Sequence, residues 1–196
     1  MPAAVDARRA RVTFAVMGMM RFALFFPELA IEETRCVTTS PAMMEGSRVV
    51  LPADDYGLDE WYCVDPDCDC RRVLFNILAG PAQTHVATIS HGFEPPDDSI
   101  QPPEQTFLDE FNKQSQWSAA LLAVVEGVVL ADPAYCQRLE RHYHLVKAAV
   151  KDPAHPCQEL IRQSYLNRDH DANGVLSPIR RSPIPPPPRR GKRKWR

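Results

Sequence analysis

A cluster of three cysteines is the feature that most restricts how this chain can fold. Cys63, Cys68 and Cys70 lie within eight residues, and Pro66, with an aspartate on each side, separates the first from the second. A proline between aspartates favours a tight turn, which would fold Cys63 back toward Cys68. Zinc takes thiolate ligands in a tetrahedron with bonds of about 2.3 Å. The spacing therefore predicts a metal site.

The residues around the cysteines are consistent with a metal site. Cys68 and Cys70 are two apart, so on an extended strand their sulfurs would share a face. Three thiolates on a divalent cation leave a net negative charge. Arg71 and Arg72 follow at once and are predicted to offset it.

The spacing does not identify a fourth ligand. Cys36 lies on a predicted earlier strand of the same sheet and is the first candidate. His85 and His91 belong to the strand after the cluster, and a bound water would leave the site open. The predicted ligands of the zinc ion are Cys63, Cys68 and Cys70, with Cys36 as the fourth.

Two other interpretations of the cysteines remain open. They could be buried reduced thiols that bind nothing. The total of six is even, so they could also pair as disulfides in a secreted protein.

The cysteine region also carries a resemblance. The segment 62–73, YCVDPDCDCRRV, resembles one found in uncharacterised bacterial proteins that are loosely similar to the zinc-binding SEC-C motif. A weaker similarity to the same proteins covers residues 108–115 and 141–147. The chain departs from SEC-C because no Cys-Cys or Cys-His pair follows about ten residues after Cys70. The resemblance implies metal binding and carries no activity with it.

Charge is strongly segregated along the chain. The net charge is −2, yet residues 177–196 hold eight basic residues and no acidic one, which leaves 15 basic and 25 acidic residues before them, a charge of −10. This proline-rich end has too few apolar residues to form a core, so we predict a disordered tail. Its prolines could bind a protein partner and its basic residues nucleic acid, or it could fold back onto the acidic body.

The pattern of apolar residues predicts an α+β fold. Residues 27–93 are expected to form an antiparallel β-meander that bears the cysteine knuckle, because short apolar runs end at Gly, Pro or Asp. A proline-rich linker at 94–105 separates it from a helical region at 106–176, a small bundle, and the tail at 177–196 follows. The predicted strands are 34–39, 48–51, 60–63, 72–78 and 85–89.

Three helices are predicted in the second half. Apolar residues at spacings of three and four run from 117 to 129 and include Val128. Asp132 and Pro133 then supply an N-cap and a proline at the first helical position. The next apolar stripe is Tyr135, Leu139, Tyr143, Val146 and Val150, and Pro156 opens a shorter helix.

Residues 1–26 are predicted to be an N-terminal extension. Basic residues precede an apolar run at 12–26, as in a secretory signal, but Arg21 interrupts it and no small-residue cleavage site follows. About 15 apolar residues are fewer than the roughly 20 that span a bilayer. We therefore expect a cytoplasmic protein without a membrane span.

Three weaker motifs favour structural interpretations. Residues 169–174 copy the start of a calcium-binding EF-hand loop, but Arg180 occupies the position of its required glutamate. His142 and His144 are two apart on a predicted helix, so they diverge and should flank Tyr143 at the edge of the core. Cys157 lies near a helix start without a recognisable catalytic triad.

Three functions are compatible with this pattern. The leading hypothesis is a non-enzymatic zinc-binding module that helps another macromolecule assemble. The second is a nucleic-acid-associated protein that uses the basic tail. The third is a metalloenzyme with an open zinc site, for which Asp65, Glu60 and His91 are the local candidates for a general base.

Overall fold

The computed structural model of this chain describes residues 18–95 and 104–163, and its fold is α+β, as predicted. The strands are β1 (Met19–Arg21), β2 (Cys36–Thr39), β3 (Met43–Glu45), β4 (Arg48–Leu51), β5 (Asp54–Cys63), β6 (Arg72–Ala79), β7 (Thr84–Gly92) and β8 (Thr106–Leu108). The helices are α1 (Phe22–Phe25), α2 (Pro27–Glu33), α3 (Ser118–Val124) and α4 (Pro133–Lys151), with a π-helical segment at Val125–Val129. Residues 158–163 are also helical.

The main sheet is antiparallel and has β5, β6 and β7 at its centre. Its strand order is β1-β5-β6-β7-β8, and β2 pairs with the same edge of β5 that β1 uses. β1 lies opposite the end of β5 near Cys63, whereas β2 lies opposite its beginning. β3 and β4 form a separate two-stranded hairpin.

One face of the sheet is buried beneath the helices. Buried and more exposed side chains alternate along β5 and β6. The buried ones are Tyr56, Leu58, Glu60 and Tyr62 on β5 and Val73, Phe75 and Ile77 on β6. Side chains two apart on a strand share a face, so these residues form one surface. Helix α4 contacts β5 and β6, while α3 contacts β7 and β8. The core lies between these two layers.

Helix α4 begins and packs as its sequence predicts. Pro133 is its first residue, and the Asp132 carboxylate accepts a hydrogen bond from the Ala134 amide at 3.0 Å. This bond satisfies one of the amide groups left free at a helix start. The buried residues of the helix include the whole predicted stripe, Tyr135, Leu139, Tyr143, Val146 and Val150.

The preceding helix departs from its prediction at one turn. The Leu130 amide bonds to the Val125 carbonyl at 2.8 Å, five residues back, so this turn is π-helical. The wider turn shifts the phase of the side chains. Val128, predicted to face inward, is therefore exposed, whereas Val129 is buried.

Two segments at the borders of the predicted regions join the folded body. Phe22 and Phe25 fall in the predicted N-terminal extension, yet both are buried in the core, because β1 and α1 pack against β5. Strand β8 falls at the start of the predicted helical region, yet it pairs with β7 and extends the sheet. Both elements are too short to give a periodic signal in the sequence.

No single described helix is long and apolar enough to cross a membrane. Two consecutive helical segments, Ser118–Val129 and Pro133–Lys151, are long and apolar enough when taken together, but the chain bends by 103° between them. The EF-hand-like segment and the basic tail lie outside the described residues.

Candidate metal centre

The three cysteines lie where β5 turns into β6. Cys63 ends β5, Arg72 begins β6, and the residues between them form an irregular loop. The Asp65 carboxylate accepts a hydrogen bond from the Asp67 amide at 3.0 Å, and the Asp65 carbonyl accepts one from the Cys68 amide at 3.3 Å. These bonds close the tight turn at Pro66 that the sequence predicts.

The turn brings three sulfur atoms together. The Sγ atoms of Cys63, Cys68 and Cys70 all lie within 4.8 Å of one another. Tetrahedral zinc with bonds of about 2.3 Å separates its sulfur ligands by about 3.8 Å, so a small contraction would suffice. Cys63 is buried, and the other two are partly exposed. The three thiols are therefore close enough to bind one metal ion.

The backbone after Cys68 differs from the extended strand that the sequence suggested. Residues 68–71 belong to no strand, and Arg71 has a positive φ of 43°. That conformation is uncommon for a residue with a Cβ, so contacts on both sides must hold it. The Arg71 carbonyl accepts a bond from the Phe93 amide at 3.0 Å, and its guanidinium pairs with Glu94 at 2.5 Å. A loop reversal, not strand alternation, brings Cys70 to the cluster.

Helix α4 holds the cysteine loop through a lysine. Lys147 is buried, and its Nζ donates hydrogen bonds to the carbonyls of Asp65 and Cys68, each at 2.8 Å. Its ammonium group also lies 5.7 Å from the centre of the Tyr143 ring. A buried ammonium is costly unless it is paired or hydrogen-bonded. Here it binds two loop carbonyls and places a positive charge beside the thiols.

The three thiols share their charge unequally. A hydrogen bond from Cys70 is the largest influence that lowers the pKa of Cys63, to about 6, with help from the Asp65 backbone and the charge of Lys147. The same hydrogen bond, together with burial, raises the pKa of Cys70. Burial is the main cause that raises the pKa of Cys68. The lowered pKa of Cys63 thus favours the thiolate form at that sulfur atom.

The arginines after the cluster have partners of their own. Arg71 pairs with Glu94, and Arg72 donates to the Ser90 hydroxyl and the Gln105 carbonyl, each at 3.0 Å. Burial is the largest influence on the pKa of Arg72 and lowers it. Lys147, which the sequence did not predict, is the cationic side chain bonded directly to the loop.

The structure does not bring Cys36 to the cluster. Cys36 pairs with Gly57 near the start of β5, whereas Cys63 ends that strand six residues later. At about 3.3 Å per residue, the two lie about 20 Å apart along the strand. The choice of Cys36 as fourth ligand is therefore wrong, because a shared sheet does not imply a shared end.

The alternative ligands also have other contacts. His85 lies 2.9 Å from the Thr88 hydroxyl, and Nδ1 of His91 lies 2.9 Å from the Thr106 hydroxyl. Among the residues that the structure describes, only the three cysteines converge closely enough for a metal. The described residues thus supply three candidate metal ligands and no fourth.

The other cysteines are free and scattered. All six are free thiols in the structure, so the disulfide interpretation has no support here. Cys157 is buried, and its Sγ lies 2.8 Å from Nδ1 of His155. Burial raises the pKa of Cys157, the opposite of what a nucleophile requires. The burial and the raised pKa therefore support the interpretation of Cys157 as a core residue.

A second polar cluster, which was not predicted from the sequence, is centred on His142. Nδ1 of its ring lies 2.7 Å from Glu60 and Nε2 lies 2.6 Å from Glu33, while Phe22 stacks on the ring with centroids 4.0 Å apart. Both ring nitrogens therefore lie within hydrogen-bond distance of a carboxylate. His142 is only 1% exposed, not at the edge of the core as expected.

Two tyrosines complete this buried network. Tyr62 donates to Glu60 at 2.8 Å and Tyr135 donates to its other oxygen at 3.2 Å. Burial is the main cause that raises the pKa of both tyrosines, with the Glu60 charge next. Glu60 is thus fully engaged, and it lies on the opposite face of β5 from Cys63, three residues away. It is not placed to act as a base at the cysteine site.

Comparison of this chain with protein families, with curated proteins and with solved structures gives no match. The cysteine site must therefore be interpreted from its own geometry and charge.

Proposed function

We propose that this protein is a non-enzymatic zinc-binding module whose metal closes the β5–β6 loop. Zinc would be held by Cys63, Cys68 and Cys70. The observation that carries the proposal is the convergence of their sulfurs within 4.8 Å. Thiolates are soft ligands that suit zinc, and sites made of thiolates alone are more often structural than catalytic.

The surroundings of the cluster support a structural role over a catalytic one. Of the predicted bases, Glu60 is bonded to His142 on the other face of β5, and His91 is bonded to Thr106. Only Asp65 remains near the sulfurs, and its carboxylate already accepts a bond within the turn. An open fourth position alone does not make an enzyme, because a general base must lie within reach of the activated water.

Metal analysis of the full chain tests the proposal. We expect about one zinc per chain, loss of that zinc after Cys68→Ser, and a lower unfolding temperature after chelation. Cys36→Ser is the matched control and should keep its zinc, because Cys36 lies far along β5 from the cluster. Protein that contains no zinc when purified, and binds none when zinc is added, would refute the proposal.

Cobalt substitution would define the ligand set. Cobalt(II) in a tetrahedral thiolate site has intense charge-transfer absorption that grows with the number of sulfur ligands. We expect the charge-transfer absorption of three sulfur ligands in the parent protein and in Cys36→Ser. In Cys70→Ser we expect the weaker absorption of two sulfur ligands. A parent spectrum typical of four sulfurs that loses one in Cys36→Ser would contradict the structure.

A further inference from the structure

A groove between the β8 edge of the sheet and the helices combines apolar and acidic side chains. Its volume is about 700 Å³, and it lies between the end of β7, β8, the π-helical segment and the start of α4. Its apolar lining includes Phe93, Leu122 and Leu130. Glu104, Glu126 and Glu140 line the same groove.

These three carboxylates have no counterion in the described part of the chain. None of them makes an ion pair or a side-chain hydrogen bond there, whereas Glu33, Glu94 and Glu159 all do. His91 also lines the groove, but burial lowers its pKa to about 4, so it is neutral at pH 7. The groove therefore carries three negative charges and no positive one among its lining residues.

The π-helical turn sets the position of one wall. Leu122, Glu126 and Leu130 follow one another at intervals of four residues across that turn, and all three line the groove. A π-turn costs helix stability and is frequently found at functional sites.

We propose that this groove binds the basic, proline-rich end of the same chain, residues 177–196. The charges are complementary, since that segment has eight basic residues and no acidic one. Its run of prolines at 185–188 favours an extended polyproline II conformation of about 12 Å, which suits an apolar floor. Arg189 and Arg190 follow directly and would meet the carboxylates.

The chain is long enough for this contact. The described residues end at 163, and 21 residues separate that point from Pro185. Fully extended, such a segment spans about 70 Å. Glu140 lies only 11 residues before the end of α4, which is about 17 Å of helix. An intramolecular tether also gives the tail a high effective concentration at the groove.

Zero-length carbodiimide cross-linking of the full chain tests the proposal. The reagent joins lysine amines to carboxylates that they already contact, and the tail contains Lys192 and Lys194. Mass spectrometry should find these lysines joined to Glu104, Glu126 or Glu140. The yield should fall severalfold between about 50 mM and about 500 mM salt, because screening weakens exposed ion pairs.

Variants of exposed carboxylates provide the controls. Glu126→Gln with Glu140→Gln should lower the cross-link yield at least about fivefold, while Glu45→Gln with Glu110→Gln should leave it unchanged. All four side chains lie at least partly exposed at the surface, so folding should be preserved. Cross-links spread evenly over exposed carboxylates, including Glu45 and Glu110, would overturn the proposal. A mixture of isotopically light and heavy protein that yields mainly links between two chains would overturn it as well.

Discussion

Nδ1 of His142 lies 2.7 Å from a carboxylate oxygen of Glu60, and both side chains are almost completely removed from solvent. The pair joins helix α4 to strand β5, so it connects the two layers of the fold. Glu33 on α2 binds the other ring nitrogen and brings in the N-terminal segment. Three separate parts of the chain thus meet at one imidazole.

Removal of this imidazole should be destabilising. His142→Leu takes away one hydrogen-bond partner of the buried Glu60 carboxylate, a change that costs about 1–3 kcal/mol of unfolding free energy. Urea denaturation of the variant measures this loss. His144→Leu is the control, since His144 is adjacent but exposed and makes no buried ion pair. In a Glu60→Gln background the cost of His142→Leu should shrink; an equal cost would show that burial of charge is not its cause.

Lys147 should control metal affinity without touching the metal. Lys147→Met removes the two hydrogen bonds to the loop carbonyls of Asp65 and Cys68, as well as the nearby positive charge. Groups that orient ligands in this way typically contribute about 10–100-fold to affinity. Competition with a chromophoric chelator measures the change. Lys151→Met, an exposed change on the same helix, should have no effect, and equal affinities for both variants would contradict the role of Lys147.

The metal-free cluster should release one proton in mildly acidic solution. The pKa of Cys63 is lowered to about 6 from 9.0, so between these values the folded state has lost a proton that the unfolded state still binds. Stability of the metal-free protein should therefore rise with pH across this window, and this contribution should be lost as the pH falls through about 6.

Ultraviolet thiolate absorbance follows that titration directly. Cys63→Ser should abolish the transition near pH 6 in the metal-free protein. Cys36→Ser should retain it, because burial raises the pKa of Cys36. A transition that survives in Cys63→Ser would place the thiolate on another residue.

His91 should make the fold sensitive to acid. Burial is the main cause that lowers its pKa to about 4 from 6.5, and the positive charge of Arg72 adds to the effect. Between these values the unfolded state binds a proton that the folded state does not, so stability should decline as the pH falls below about 6.5. Denaturation of His91→Gln and the parent protein at several pH values should show a smaller decline in the variant. Parallel curves would contradict the buried, neutral state of His91.

Local patterns in the sequence predicted much of the fold. All five expected strands form, since short apolar runs between breakers can bury one face of a sheet. The start of α4 at Asp132 and Pro133 is confirmed, because an N-cap needs only neighbouring residues. Three strands of three residues each were missed, β1, β3 and β8, because so short a segment gives no periodicity.

In the candidate site, too, some features follow from local sequence and others depend on the tertiary structure. The meeting of Cys63, Cys68 and Cys70 follows from a turn within eight residues of sequence, so it was accessible from spacing alone. The contacts of Lys147, the displacement of Cys36 and the burial of His142 depend on strand register and on how α4 lies across the sheet. Such relations join residues up to about a hundred positions apart, and local spacing contains no information about them. Only tertiary packing decides which distant side chains share a site, because a buried charge takes whatever partner the packing brings to it.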